Sequence, residues 1–413
     1  MNRVILVGVN TLKYQETFQE ELDECVGLCE ACNYEVIQTI TQNMDFTDRH
    51  TCVGSGKLIE ISELCHQEEI EKLVFLNRLS ASQIMHIAEA CEVDVIDRTG
   101  IILEIFAKRA RTKEAQIQVE MATLQYELPH LIVNDTSSDQ QRGGSGVKNK
   151  GKGETKLELN KRDIERRISQ LKKELKSLEV QVQIQKQQRL KSHLNMVALV
   201  GYTNAGKSSL MNRILKLNDI DDQKQVLEKD MLFATLDTSV RKVNFDSDRS
   251  FLLFDTVGFV SHLPTELIEA FKSTLSAAKE ASLLLHVIDC SNERYESFEK
   301  ATEETLKRIE ANQIPIIKVY NKVDNAIAQD KTDGIYISCK TGEGIEELMK
   351  LIENTLYPNE VTCDCLIPYD QLSMIQSLKQ KAKIEFLSDE ENGKMIRVTC
   401  SNEVAQEIKK YCL

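Results

Sequence analysis

The segment Val197–Asn212, VALVGYTNAGKSSLMN, places the strongest constraint on what this chain folds into. Its first four residues are apolar and predict a buried parallel strand, and a helix-forming run follows the lysine. The spacing between them is G-x-x-x-x-G-K-[ST], in the strand–loop–helix context that gives this pattern meaning. We predict a phosphate-binding loop here, and the alternative is a chance glycine-rich turn.

The residue types in this loop have chemical reasons. Glycines let successive backbone N–H groups turn toward phosphate oxygens, and the helix N-terminus adds its positive end. We expect Lys207 to reach the β and γ phosphates and the Ser208 hydroxyl to hold Mg²⁺. The loop residues predicted to bind nucleotide are Gly201, Tyr202, Thr203, Asn204, Ala205, Gly206, Lys207 and Ser208.

Two segments downstream supply further groups for the phosphates. LFATLDTSV offers Thr235, whose hydroxyl suits Mg²⁺ and whose backbone N–H suits a γ phosphate. FLLFDTVGF predicts a strand that ends in Asp255, a group for the Mg²⁺ shell, and Gly258 N–H can sense the γ phosphate. The predicted catalytic residues are Lys207, Thr235 and Gly258, and the predicted metal-binding residues are Ser208, Thr235 and Asp255.

Two more segments predict the base that is bound. PIIKVYNKVDN delivers Asp324, whose carboxylate can accept from guanine N1–H and the N2 amine at once. Adenine lacks both donors, and a site built this way rejects the wrong base by roughly 10⁴ or more. GIYISCKTGEG adds a loop whose backbone can contact the guanine oxygen. The other residues predicted to bind nucleotide are Phe233, Ala234, Thr235, Leu236, Asp237, Asp255, Thr256, Val257, Gly258, Asn321, Lys322, Asp324, Ser338, Cys339 and Lys340.

The remaining segments predict an α/β protein of four parts. Strand and helix patterns alternate over residues 1 to about 98, as in a parallel sheet, and two long helical stretches follow, the first ending near Pro129. The last part reads strand, helix, two strands and helix, without visible chemistry. The predicted parts are a small N-terminal parallel-sheet α/β domain (1–125), a basic linker forming an antiparallel helical hairpin (126–194), a P-loop GTPase domain (195–357) and a small α+β C-terminal domain (358–413).

A second glycine–lysine sequence, GSGK at Gly54–Lys57, invites comparison with the phosphate loop. Leu58 follows the lysine instead of Ser or Thr, and no strongly apolar strand runs directly into it. We favour a glycine turn that begins the next helix over a second nucleotide site. ATP-driven RNA remodelling through this segment is the hypothesis that depends on it.

Charge distribution indicates where a nucleic acid would bind. The formal net charge is -13, so any RNA contact must come from a local basic patch. Residues 142–191 form one, with many lysines and arginines and few acids. We favour an RNA-phosphate surface over an ordinary solvated helix face.

The 12 cysteines are scattered, without paired CxxC motifs. Cys25, Cys29 and Cys32 share one helix face, so buried core residues are the favoured interpretation and a metal site the alternative. Cys363 and Cys365 alternate as on one face of a strand. We find no apolar run long enough to span a membrane and no secretory signal. We therefore expect a cytoplasmic protein without disulfides, and nothing requires more than a monomer.

The combination of segments resembles the HflX family of ribosome-associated GTPases over nearly the whole chain. The sequences that carry the resemblance are Asp97-Arg98-Thr99, Ile105-Phe106-Ala107, Gln118-Val119-Glu120 with Leu124, Gly153-Glu154-Thr155 with Glu158, Leu232–Asp237 and Asp255–Phe259. The resemblance implies binding to the large ribosomal subunit, including its ribosomal RNA, and splitting of stalled ribosomes. It also implies that Thr235 lies at Mg²⁺ and that 233–237 line the nucleotide.

Two residues bear on the rate of hydrolysis. Phe259 follows Asp-x-x-Gly, where many GTPases have a glutamine that orients water, so we predict slow hydrolysis until a partner supplies the missing group. Asn204 matches a position that can bind K⁺ beside the phosphates in related GTPases, and a local turn residue is the alternative. The expected cofactor is Mg²⁺, with K⁺ as a second ion. The alternative function is a GTP-dependent regulatory switch acting through protein binding.

Overall fold

The computed structural model describes residues 2–12, 17–140, 156–191, 194–217, 233, 239–245, 249–256, 258–259, 278–325, 333–358, 360–379 and 381–412. These residues form two compact units. The first comprises the described residues up to Val180 together with Phe233, and the second comprises the other described residues.

The first unit opens with a four-stranded parallel sheet. Its strands β1 (Asn2–Asn10), β2 (Tyr34–Asn43), β3 (Lys72–Phe75) and β4 (Asp94–Asp97) lie in the order β2-β1-β3-β4. The connecting helices are α1 (Phe18–Ala31), α2 (Ser55–Gln67) and α3 (Ala81–Cys91). The middle of β1 is buried because apolar helix faces cover both sides of such a sheet. The predicted parallel α/β domain is confirmed.

Asp97 anchors the helix that follows the sheet, α4 (Arg98–Arg109). Its buried carboxylate accepts from the N–H of Gly100 at 3.0 Å and the hydroxyl of Tyr126 at 3.0 Å through Oδ1. Its Oδ2 accepts from the N–H of Leu79 at 3.1 Å. These bonds cap α4 and offset the cost of burying the charge.

Two long helices follow, α5 (Lys113–Gln140) and α6 (Lys156–Lys191). The prediction of a single helix ending near Pro129 is wrong, because α4 ends at Arg109 and a separate helix, α5, runs through Pro129. The second helix has a local start signal: the Thr112 hydroxyl accepts the N–H of Ala115 at 3.2 Å, as at an N-cap. Arg167 of α6 binds Glu120 of α5 through two bonds of 2.7 and 3.0 Å. The antiparallel orientation and the boundary at residue 125, which lies inside α5, stay predictions.

The second unit contains a six-stranded sheet of order β10-β9-β8-β5-β7-β6. Its strands are β5 (Asn195–Val200), β6 (Ser239–Asn244), β7 (Ser250–Asp255), β8 (Leu283–Asp289), β9 (Ile316–Asn321) and β10 (Gly334–Tyr336), and its helices are α7 (Lys207–Leu217), α8 (Tyr295–Arg308) and α9 (Ile345–Leu356). All neighbours pair in parallel except β6, which pairs antiparallel with β7. The carboxyl ends of the parallel strands share one edge, where ligands bind in such sheets.

The second unit ends with a small antiparallel sheet, β11 (Glu360–Pro368), β12 (Lys383–Glu390) and β13 (Gly393–Ser401), in the order β11-β13-β12. Two short helices, α10 (Ser373–Leu378) and α11 (Asn402–Ile408), accompany it. One sheet face forms their common core, with Ile367 and Val398 fully buried. The predicted α+β C-terminal domain is confirmed.

Candidate nucleotide site

The loop after β5 has a backbone that only glycine accepts at two positions. Gly201 has φ of +148°, and a Cβ there would lie 2.2 Å from the carbonyl oxygen of Val287. Gly206 has φ of +94°, and a Cβ there would lie 2.2 Å from Nδ2 of Asn321. Asn204 between them is left-handed, with φ of +62°, a conformation that Asn tolerates better than most residues. The loop therefore curls back toward neighbouring strands, as a phosphate loop must.

Lys207 begins α7 and holds its charge inside this loop. Its Nζ donates to the carbonyl oxygens of Gly201 at 3.1 Å and Tyr202 at 2.7 Å. Burial lowers the pKa of Lys207 to about 8, and the nearby Asp255 carboxylate opposes this shift. The lysine is thus placed for anionic groups that would restore its usual pKa.

Ser208 and Asp255 bring two oxygen donors together. The Ser208 hydroxyl donates to Oδ2 of Asp255 at 2.6 Å. The next residue, Thr256, donates from its hydroxyl to the carbonyl oxygen of Leu199 at 2.6 Å, which ties the end of β7 to β5. A hydroxyl and a carboxylate are donors that Mg²⁺ prefers, so these residues fit the ion.

Thr203 and Phe259 connect the phosphate loop to the segment after β7. The N–H of Thr203 donates to the oxygen of Phe259 at 2.7 Å, and the N–H of Phe259 donates to the oxygen of Gly201 at 3.1 Å. A Cβ on Gly258 would lie 2.8 Å from Cα of Thr203 and 2.9 Å from Nζ of Lys207. Gly258 is therefore held against the loop, and a side chain there would push them apart.

The Thr203 side chain itself is only 6% exposed. Among the described residues its hydroxyl has no hydrogen-bond partner. A buried hydroxyl without a partner costs free energy unless a ligand supplies one. In the sequence Thr203 is only one member of the loop, and the burial of its side chain singles it out.

The segments predicted to bind guanine are joined to the loop through Asn321. Its Nδ2 donates to the oxygen of Ala205 at 3.0 Å, and its Oδ1 accepts from the N–H of Cys339 at 3.2 Å. Asp324 accepts from the Ser338 hydroxyl at 2.7 Å. That bond, with smaller effects of its own backbone N–H, Lys340 and Lys322, lowers the pKa of Asp324, so the carboxylate is ionised when it meets a base.

Three side chains here were missed by sequence reasoning. Asp289, at the end of β8, binds Nζ of Lys322 at 2.7 Å. Phe298 stacks on Tyr202 with ring centroids 4.1 Å apart. His286 is buried in β8, and burial, together with Lys318 and Lys207, lowers its pKa to about 3, so it stays neutral. Only Asp289 carried a sequence signal, a strand-terminal carboxylate.

Some predicted site residues fall elsewhere. Ala234, Thr235, Leu236, Asp237 and Val257 lie outside the described residues. Phe233 belongs to the first unit, where its buried ring packs edge-on against Phe106 with centroids 4.7 Å apart. The structure brings together the loop 201–208, Asp255, Thr256, Gly258, Asn321, Asp324, Ser338 and Cys339. Their roles toward a nucleotide stay predictions.

The sheet order, the glycine loop with its buried lysine and the Ser208–Asp255 pair define a P-loop GTPase. Four family models match consecutive parts of the chain: GTP-binding GTPase N-terminal (19–107), GTP-binding GTPase Middle Region (109–189), 50S ribosome-binding GTPase (196–322) and HflX C-terminal domain (324–411). The chain belongs to the HflX family of GTPases, which confirms the resemblance, and it is a GTP hydrolase.

Curated relatives support this assignment. GTPase HflX of Caldanaerobacter subterraneus subsp. tengcongensis is 36% identical over 413 residues, covering 100% of this chain and 94% of the relative. GTPase HflX of Escherichia coli is 37% identical over 351 residues, covering 83% of this chain and 80% of the relative.

The chain is also similar to a solved structure. A crystal structure of a GTP-binding protein from Sulfolobus solfataricus in complex with GDP is 25% identical, covers 86% of this chain and 99% of that one, and has a TM-score of 0.46.

Within the described ranges, each helix is too short or too polar to cross a bilayer.

Proposed function

We propose that this GTPase binds the large ribosomal subunit, including its ribosomal RNA, and hydrolyses GTP to split or rescue stalled ribosomes. It acts as a cytoplasmic monomer. The exposed basic face of α6 carries the proposal. It consists of Lys161, Arg162, Arg166, Lys172, Lys173 and Lys176, all exposed. On a chain of formal net charge -13, such a face supplies the local attraction that an RNA backbone requires.

The nucleotide chemistry follows from the loop. Lys207 and the loop N–H groups bind the phosphates, and the Gly258 N–H meets the γ phosphate. Ser208 and Asp255 would hold Mg²⁺, with Thr235 as a third group, and the ion supplies positive charge to the phosphate oxygens when bound. Asp324 binds the guanine edge while Asn321 holds the base-binding segments against the loop.

Hydrolysis is slow in the isolated protein because Phe259 offers no group to orient water. Its ring is buried, and its backbone is bonded to Gly201 and Thr203. The ribosome therefore completes the site. The Asn204 side chain is the candidate for a K⁺ ion beside the phosphates, where it would add a positive charge.

The first test is the rate of phosphate release from GTP with and without purified large ribosomal subunits, in K⁺ and in Na⁺ buffer. We expect a large stimulation by subunits and a higher rate in K⁺. If the rate is equally high with and without subunits, the prediction of slow hydrolysis in the isolated protein, which depends on Phe259, is wrong.

The second test replaces Lys172, Lys173 and Lys176 together by Gln. We expect weaker subunit binding and a salt dependence whose slope falls by about 3, one unit per lost phosphate contact. The matched control replaces three exposed lysines of the second unit, Lys300, Lys350 and Lys379, and should leave the slope unchanged. Equal slopes in the two variants would remove the basic face from the proposal.

The alternative function, a GTP-dependent regulatory switch acting through protein binding, is favoured by Phe233. This residue lies two positions before Thr235 and is packed in the first unit against Phe106. We therefore expect a change at Thr235 on hydrolysis to alter the packing of Phe233 against Phe106. The switch would be favoured by fast hydrolysis whose rate does not change when large ribosomal subunits are added, together with binding to a protein partner only in the GTP form.

A further inference from the structure

Three cysteine side chains meet in the C-terminal domain, far along the chain from the nucleotide loop. Cys363 and Cys365 lie two apart on β11 and so share a face of the strand. Cys412 follows the short 3-10 helix Lys409–Tyr411 and forms an isolated antiparallel bridge with Cys365. The Cys365 Sγ lies 3.8 Å from Sγ of Cys363 and 3.3 Å from Sγ of Cys412.

These distances suit a common ion. All three sulfur atoms lie within 4.8 Å of one another. Sulfurs bound about 2.3 Å from a tetrahedral zinc ion lie about 3.8 Å apart. The Cys363–Cys365 distance already has this value, and the Cys365–Cys412 distance needs an opening of about half an ångström, which a small side-chain rotation supplies.

Burial leaves the cluster closed on one side and open on the other. Cys365 is fully buried, while Cys363 and Cys412 are half-buried. An ion can therefore enter from solvent, and a fourth tetrahedral position can be taken by water. Asp364, between the two β11 cysteines, lies on the opposite strand face and is bound by Arg397 at 2.8 and 3.0 Å, so it does not compete.

Backbone carbonyl oxygens hold two of the three thiols in place in the metal-free protein. The third sulfur is brought to the strand by the segment that contains the 3-10 helix Lys409–Tyr411. Burial, together with hydrogen bonds to Cys412 and Cys363, raises the pKa of the Cys365 thiol. The Cys412 thiol donates to the oxygen of Ile408 at 3.5 Å, and the Cys363 thiol donates to that of Val398 at 3.7 Å.

We propose that Cys363, Cys365 and Cys412 form a zinc site that fastens the 409–412 segment to β11. One Zn²⁺ forms three Zn–S bonds, and the three thiols release three protons to solvent. Water occupies the fourth position, so the site carries one negative charge. No electron is transferred. The ion then holds two separate chain segments together and stabilises the C-terminal domain.

The experiment uses the full chain, reduced and freed of metal with a chelator, and titrates it with Zn²⁺ alone against a chromophoric competitor. We expect one tightly bound Zn²⁺ per chain, release of about three protons and a higher melting temperature. Replacement of the ion by Co²⁺ should give thiolate-to-metal charge-transfer absorption in the unmodified protein, a signature that does not depend on any variant folding.

Cys363→Ala and Cys412→Ala should each weaken zinc binding by more than the roughly 10- to 100-fold that loss of an outer-shell partner costs. The matched control is Cys400→Ala, which removes a buried thiol from the same core but from outside the cluster. Absence of the Co²⁺ absorption overturns the proposal, as does equal zinc binding in all three variants. A Cys365–Cys412 disulfide in the purified protein, seen as two missing thiols, also overturns it.

Discussion

Two glycine–lysine segments of this chain begin helices, yet they place their lysines in opposite surroundings. Lys207 is buried and donates to two carbonyl oxygens of its own loop. Lys57 is half-buried and pairs with the exposed Glu60 at 2.7 Å within one turn of α2. A lysine paired within its own helix contributes at most a few tenths of a kcal/mol. Lys207 has no carboxylate in direct contact among the residues that the structure describes, an arrangement that suits an anionic ligand.

The glycines explain the difference. Gly54 has an ordinary extended φ of -66° at the N-cap of α2, and a Cβ on Gly56 would meet nothing within 4 Å. Gly201 and Gly206 both have positive φ and touch neighbouring strands. The first pair starts a helix, as the glycine-turn interpretation predicts. The second pair bends the loop that follows β5 against the neighbouring strands, as the predicted phosphate loop requires.

The sharpest way to break this comparison is to exchange each lysine for alanine. Lys207→Ala should lower GTP hydrolysis by about 10³- to 10⁵-fold, the range for loss of a single cation at the transferred phosphoryl group. Lys57→Ala should change it by less than about twofold, since it loses only a surface ion pair. Phosphate release in single turnover measures both. ATP hydrolysis that is lost in Lys57→Ala and kept in Lys207→Ala would instead place a second nucleotide at Gly54–Lys57.

Asp324 tests whether guanine binds at the same edge as Lys207. Asp324→Asn should weaken GTP binding by about 10²- to 10³-fold, because two hydrogen bonds to a charged group are lost. The amide can donate to the oxygen that xanthine carries in place of the amine, so binding of xanthosine triphosphate should improve. Equilibrium binding of both nucleotides is the measurement. Unchanged GTP affinity would mean that the base binds elsewhere.

Thr203 sharpens the comparison inside the loop, since the Gly54–Lys57 turn has no equivalent buried hydroxyl. Thr203→Val should lower the single-turnover hydrolysis rate by about 10- to 100-fold, the value of one hydrogen bond to a charged phosphate oxygen. Thr203→Ser keeps the hydroxyl and serves as the control. Equal rates in the two variants would show that the hydroxyl makes no contact with the phosphates.

The smallest expected effect is a pH dependence of GTP binding. Burial lowers the pKa of free Lys207 to about 8, and bound phosphates raise it again. Above pH 8 the lysine must therefore gain a proton on binding, so affinity falls as pH rises, by roughly tenfold between pH 7 and pH 9. The control is Lys207→Arg, whose guanidinium stays charged over this pH range. Any titration of the guanine base itself is the same in both proteins, so the pH profile of GTP affinity should be flatter in Lys207→Arg. Identical profiles would assign the pH dependence to another group.

Local patterns predicted most of the fold because they report strand and helix directly. The parallel α/β domain, the GTPase sheet and the α+β C-terminal domain all have clear apolar periodicity. The boundary between α4 and α5 was missed, because both segments are rich in helix-forming residues. The only local signal for the boundary is one capping hydroxyl, that of Thr112 at the start of α5. β6 was missed as well, because Ser239–Asn244 is a short, half-buried edge strand with weak alternation.

The sequence by itself determined the family, the reaction class and the residue types at the nucleotide loop, because phosphates and guanine demand particular groups at particular spacings. Only the tertiary structure decided which lysine is buried, that the Thr203 hydroxyl has no partner among the described residues, and that Asp289 binds Lys322. It also brought Cys412 to Cys363 and Cys365. These contacts join residues distant in the chain, and burial depends on what packs above a residue as much as on its neighbours in sequence.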